Sequence, residues 1–241
     1  MLNPSQQALK AVSLALLLCL GPLAQAADAV TQAMQTANGP YRMALFKTNG
    51  TSQAESQQAL TQAMQAWDKL SSEFAAKPAA PYDRDPAFAS SVAAVSKVYA
   101  KAQGEISAND LKAAHSTLEE AREIMSAMRK RNNVVVYSDH MNAYHEVMEH
   151  ILVDGNALLA QPKGLLVMTA QAGALSYVAK RLSTQAPESL AKDAEFQALV
   201  DAVKQSVDRL ESALQNQDQA AVKDAMGKLK GPYSKLFAKF G

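Results

Sequence analysis

The sequence predicts an all-α protein: an antiparallel helical bundle of about seven helices, built as two three-helix repeats joined by an extra helix. Three observations lead there. Ala, Gln, Lys, Leu and Glu, all helix formers, dominate a composition that is 48% hydrophobic but only 6% aromatic. Apolar residues recur at spacings of three and four, and no window sustains an alternation of period two. Two parts of the chain also align at an offset of 108 residues, with apolar positions and turns coinciding.

Residues 1–26 stand apart from the fold. A polar start with Lys10 leads into the apolar run Ala11 to Leu20, then Gly21-Pro22 and the small-residue site Ala24-Gln25-Ala26. This is the layout of a secretory signal peptide, and the run is too short for a span of about 20 apolar residues. Cys19 follows three leucines, where a lipid-anchor site wants a small residue. Cleavage after Ala26 removes one Lys and no acid, leaving 23 basic against 23 acidic residues. The expected location is the periplasm, with no membrane span after cleavage. The balance argues against a nucleic-acid groove or an anionic membrane as partner. Residues 27–241 hold no cysteine, which excludes c-type haem attachment, disulfides, thiolate metal sites and Cys nucleophiles.

The elements follow from periodicity and punctuation. Residues 27–36 form a short helix or stay loose, and Asn38-Gly39-Pro40 breaks the chain. Tyr41 to Thr48 is a short helical piece closed by Asn49-Gly50. A long helix spans residues 52–75, with Leu60, Met64, Trp67, Leu70 and Phe74 on one face. Pro78, Pro81 and Pro86 forbid its continuation. Asp85-Pro86 opens the next helix, which carries Phe88, Val92, Val95 and Tyr99 and ends at Gly104. Another begins near Ser107 to Asp110, carries Leu111, Ala114, Leu118, Met125 and Met128, and stops at Asn132-Asn133. A helix over 134–152 follows, its face running through Val134-Val135-Val136, with Asp154-Gly155-Asn156 as its stop. Three more cover 165–183, 193–215 and 218–239, the last kinked at Gly231-Pro232.

The repeat pairs Asp85 and Phe88 with Asp193 and Phe196. At the same offset it pairs Val92 with Val200, Asp110 with Asp218, and Leu118 with Met226. Lys69-Leu70-Ser71 matches Arg181-Leu182-Ser183 at a slightly larger offset. The first repeat is therefore 27–132 and the second 161–241, and the helix within 133–160 has no counterpart.

All four histidines, His115, His140, His145 and His150, fall in the helices near 107–131 and 134–152. Histidines five apart are turned by about 140° on a helix, so His140, His145 and His150 cannot reach one ion together. Met141, His145, Met148 and Glu149 do share a face, within about 80° of Met141. A His with a Glu one turn on can chelate a divalent ion, and thioether sulfur tilts the preference to copper. Imidazole and thioether could equally serve the iron of a non-covalent haem, so copper, iron and haem all stay open. His115 and Glu119 repeat the same spacing and offer a facing half. Against this, Met is ordinary core filler and Arg122 could simply pair with Glu149. Lys223 and Lys230 stand where His115 and Arg122 stand in the other repeat, a pattern that suits snorkelling at a core boundary. No nucleotide-binding loop or nucleophile elbow is present, and catalysis is not expected. The alternative is a non-enzymatic interaction or scaffold module that docks a periplasmic or membrane partner.

The chain resembles the exported four-helix-bundle cytochromes of the c-prime, c556 and b562 type. The features are the signal segment, Tyr41-Arg42 with Met43, the long Ala-rich helices, and a last helix ending in Tyr233 to Phe240. The Cys-x-x-Cys-His attachment of that family is absent, and the last helix holds no histidine for its proximal ligand. The resemblance implies fold and compartment only.

Overall fold

The computed structural model describes residues 28–241, so the expected signal segment, its cleavage site and Cys19 lie outside the described residues. The described residues form α-helices joined by short loops, with no strand among them. The first half holds α1 (Ala29–Thr48), α2 (Gln53–Phe74), α3 (Phe88–Ser107) and α4 (Leu111–Arg131). The second holds α5 (Tyr137–Leu159), α6 (Gly164–Thr184), the single turn α7 (Glu188–Ala191), α8 (Ala194–Gln215), α9 (Gln219–Gly227) and α10 (Lys230–Phe240). Asp28, Ser52, Asp110, Asp193 and Asp218 cap α1, α2, α4, α8 and α9, each accepting a backbone N–H of the first turn.

Packing divides the helices into two closed sets, four in the first and five in the second, where α9 and α10 together take the place that α4 has in the first. α1 packs on α2, α2 on α3, α3 on α4, and α4 back on α1. In the second set α5 packs on α6, α6 on α8, and α8 on α9 and α10, both of which return to α5. So α5 is not an unmatched bridge between repeats, as expected from the sequence. It closes the second half as α1 closes the first. The buried positions agree: Met34, Ala37, Tyr41, Ala44 and Thr48 of α1 have the spacing of Met141, Tyr144, Met148, Ile151 and Gly155 of α5. The two sets join within residues 132–136, between α4 and α5, rather than at 132 and 161.

The match was hidden by Pro40. Proline costs a helix interior about 3 kcal/mol, through a lost hydrogen bond and a clash with the preceding turn. Yet α1 runs unbroken through Asn38-Gly39-Pro40. Burial of Met34, Ala37, Tyr41 and Leu45 on both sides of the proline outweighs that local penalty. Helix α5 departs from expectation at both ends. Val134 to Val136 lie outside it, with Val136 extended at φ −120° and ψ 167°. At the far end it runs through Gly155, because that glycine faces the core: a Cβ there would sit 2.2 Å from Met226 Cε. The kink placed at Gly231-Pro232 is a break at Lys228-Leu229 instead, which leaves Pro232 in the first turn of α10, where proline is tolerated.

The turn between α3 and α4 recurs between α8 and α9. Asn109 and Gln217 are both left-handed, at φ 58° and 54°. The N–H of Asp110 donates to Glu105 O at 2.9 Å, and that of Asp218 to Ala213 O at 3.1 Å. This six-to-one closure followed by an Asp cap is the same device at the same offset. The α5–α6 turn is tighter. A Cβ on Gly164 would lie 1.8 Å from the carbonyl oxygen of Leu158, a backbone atom that cannot step aside alone. Gly164→Ala is expected to cost about 1–3 kcal/mol in urea unfolding, the range for overpacking. An unchanged midpoint would refute the close approach.

Candidate functional site

The two halves meet along α1 and α4 on one side and α5 and α10 on the other. Arg42 donates from Nη1 to Phe237 O at 3.1 Å, and Asn38 Nδ2 to Gly241 O at 3.0 Å. Arg129, buried on α4, forks onto Asp139 at the start of α5, with Nε 3.2 and 3.1 Å from the two carboxylate oxygens. Midway along this seam lies a cavity of about 30 Å³, lined by His115, Glu119 and Arg122 from α4, His145 from α5, and Lys230 and Tyr233 from α10. Leu45 and Phe237 supply apolar wall.

The imidazoles come from different halves and turn toward one carboxylate. Nε2 of His115 and Nε2 of His145 each stand 3.7 Å from Glu119 Oε1. His145 Nε2 is also 3.5 Å from Glu149 Oε1. His115 Nδ1 donates to the carbonyl of Leu45 at 3.0 Å, with Thr48 Oγ1 at 3.3 Å. A carbonyl only accepts, so Nδ1 carries the proton and Nε2 turns its lone pair to Glu119. His145 is 7% exposed, forms no side-chain hydrogen bond with the described residues, and lies against Tyr233 with ring centres 5.4 Å apart. Burial lowers its pKa to about 3, with the charges of Arg122, Lys230 and His115 acting the same way. Burial lowers His115 too, partly offset by Glu119 and by the Leu45 hydrogen bond.

Two cations balance the two carboxylates. Arg122 lies 3.7 Å from Glu119 and 3.5 Å from Glu123, and Lys230 Nζ lies 3.4 Å from Glu149 Oε1. That oxygen is buried and makes no aligned hydrogen bond. Among the described residues no group of three or more His, Cys, Asp or Glu side chains is placed to hold a metal ion in this geometry.

The expected set Met141, His145, Met148, Glu149 and His115 is therefore divided. His115, His145 and Glu149 meet at the seam. Met141 and Met148 are fully buried and line neither the cavity nor the groove beside it. They are seven residues apart on the stripe that α5 turns into its own half, whereas His145 and Glu149 sit at the stripe's edge, facing α4. The expected Arg122–Glu149 pair is replaced by Arg122 with Glu119 and Lys230 with Glu149. His140 accepts from Arg181 on α6 at 3.2 Å, and His150 is exposed beside Asp154 at 4.0 Å. Glu119, expected beside His115 as a facing half, is the carboxylate that both imidazoles approach, while Lys230 and Tyr233 join the site without having been singled out for it. The signal was present for Lys230, which occupies the Arg122 position of the other repeat and was read as a boundary residue.

No family model, curated protein or solved structure matches the chain. The likeness to exported cytochromes thus rests on layout alone.

Proposed function

We propose that the chain is a non-enzymatic protein that binds one divalent transition-metal ion between its halves, through His115, His145, Glu119 and Glu149. One observation carries the reading: two neutral imidazoles from separate halves turn Nε2 toward the same carboxylate oxygen. The backbone carbonyl that fixes the His115 tautomer is the usual outer partner of a ligating histidine. Metal–nitrogen distances of about 2.0–2.1 Å set tetrahedral donors about 3.4 Å apart. The three His–Glu separations at the seam, 3.5–3.7 Å, are a little above that spacing, so binding requires the side chains to draw together.

The loss of methionine from the donor set removes the preference for soft copper(I). Two imidazoles with carboxylates suit Cu(II), Zn(II) and Fe(II), with Cu(II) the tightest. A cavity of about 30 Å³ has room for an ion or a water or two, and none for a porphyrin, so haem is not part of the proposal. Lys230 is the counter-ion that the metal displaces; it is half-exposed and can swing into solvent. Export belongs to the same proposal and rests on residues 1–26 alone.

The test is calorimetric titration of Cu(II), Zn(II) and Fe(II) into untagged protein. Wild type should bind one ion, His115→Ala and His145→Ala should lose tenfold or more in affinity, and Lys230→Gln should bind more tightly. No binding by wild type, or equal binding by His145→Ala, would end the metal reading. It would leave the cluster as an ion-paired seam and favour the interaction module.

A further inference from the structure

Helix α6 has an outer face that its place in the fold does not explain. From Gly164 to Ala179, sixteen consecutive residues carry no charged side chain. A helix apolar all round is normally buried all round. Here one side packs on α5 and α8 through Met168, Ala172, Leu175, Ala179 and Leu182. The other side is open: Leu166 is 70% exposed, Tyr177 66% and Val167 41%. Between them lie the exposed small residues Ala170, Gly173 and Ala174.

Helix α2 holds the matching place in the first half, and at the same alignment its exposed Ala54, Glu55 and Gln65 stand where α6 has Leu166, Val167 and Tyr177. What sets α6 apart is the size of its exposed apolar side chains; both helices are charged just beyond this stretch, at Asp68 and Lys69 in α2 and at Lys180 and Arg181 in α6. The apolar stretch is bracketed by two exposed lysines, Lys163 before it and Lys180 after it.

That arrangement selects among occupants. A second copy pairing α6 with α6 would set lysine against lysine at the ends, whether the helices ran parallel or antiparallel. A lipid surface takes the same pattern without conflict. Leucine, valine and the tyrosine ring enter the boundary between headgroups and acyl chains, and the lysine stems snorkel so that their ammonium groups meet anionic headgroups. No described helix is long and apolar enough to cross a membrane, so the helix would lie in the plane of the surface. We propose that the outer face of α6 docks the protein on an anionic lipid bilayer, with Leu166, Val167 and Tyr177 inserted and Lys163 and Lys180 on the headgroups. The neutral balance of the whole chain, which argued against such a partner, does not register this local grouping. The inference is independent of the metal reading.

The experiment is flotation of the purified protein with vesicles of phosphatidylcholine, with and without phosphatidylglycerol. Wild type should float with the anionic vesicles and more weakly with the neutral ones. Leu166→Glu and Tyr177→Glu should each lower the partition coefficient about tenfold or more, the loss from removing one large buried apolar group. The double variant of Lys163→Gln and Lys180→Gln should abolish the preference for anionic lipid and leave the residual neutral binding. All four positions are exposed, and helical circular dichroism checks that the variants fold. Absence of flotation, or flotation unchanged in Leu166→Glu and Tyr177→Glu, would overturn the proposal. So would a concentration-dependent dimer in sedimentation that the same two variants dissociate, because it would give the face to a second copy.

Discussion

Asp139→Ala should lower the folding free energy by about 3–5 kcal/mol, toward the lower end because the carboxylate keeps some solvent contact. Arg129 is 6% exposed, and its guanidinium pairs with no other carboxylate among the described residues. Removing Asp139 leaves a buried charge unpaired, which costs far more than an intact surface pair contributes. The same carboxylate accepts the N–H of Val136 at 3.0 Å and the Ser126 hydroxyl at 3.4 Å, so the start of α5 loses its cap as well. The effect concerns more than one helix end, because Arg129 belongs to the first half and Asp139 to the second. Urea unfolding of wild type, Asp139→Ala and Asp139→Asn measures it. Asp139→Asn, which keeps an acceptor but not the charge, should fall between the other two. A loss below about 1 kcal/mol in Asp139→Ala would mean that the pair behaves as a surface salt bridge.

Acidification should destabilise the protein through His145 as the pH falls below about 6.5. Its folded-state pKa is about 3, against an unfolded value near 6.5. Below about pH 6.5 the unfolded chain takes up a proton that the folded chain refuses. The stability supplied by the neutral imidazole is present above pH 6.5 and is lost as pH falls toward 3, at about 1.4 kcal/mol per pH unit. Every charged or titratable group facing the ring bears on this. Arg122 and His115 on α4 and Lys230 on α10 oppose protonation, whereas Glu119 on α4 and Glu149 on α5 offer partial compensation. His115, also lowered, adds a smaller loss of the same sign. Between pH 7 and pH 5, wild type should lose about 2 kcal/mol more than His145→Gln. Equal pH dependence of the two would show that the imidazole is not held neutral.

Much of this architecture could be read along the chain because it is written locally. The faces Leu60–Trp67–Leu70–Phe74 and Val92–Val95–Tyr99 repeat at helical spacing, and both are buried. Asp110, Asp193 and Asp218 announce helix starts that the structure places within one residue. The recurrence of caps and apolar stripes at one offset could be read for the same reason, since each is a local feature of spacing. Pro40 and Gly155 were misread because proline and glycine report only local preference. At both positions burial against other helices overruled that preference, and with it fell the idea of an unmatched helix.

The candidate site divides in the same way. Helical spacing alone put His145 one turn before Glu149 and His115 one turn before Glu119, and it separated His145 from His140 and His150. It could not rank Met141 and Met148 against Glu119 as neighbours of His145, because all of them are one turn or less from some histidine. That choice depends on which side of each helix faces its own half and which faces the other. The sequence by itself determined the helical class, the turns capped by Asp110, Asp193 and Asp218, and the grouping of His145 with Glu149, since each depends on residues within a few turns of one another. The tertiary structure alone decided that the two imidazoles share Glu119, that Lys230 rather than Arg122 pairs with Glu149, and that the methionines belong to the core. Those contacts join residues about 25 to 90 positions apart: the docking of one set on the other brings His145 to Glu119, and the packing of α10 on α5 within the second set brings Lys230 to Glu149 and Tyr233 to Met141.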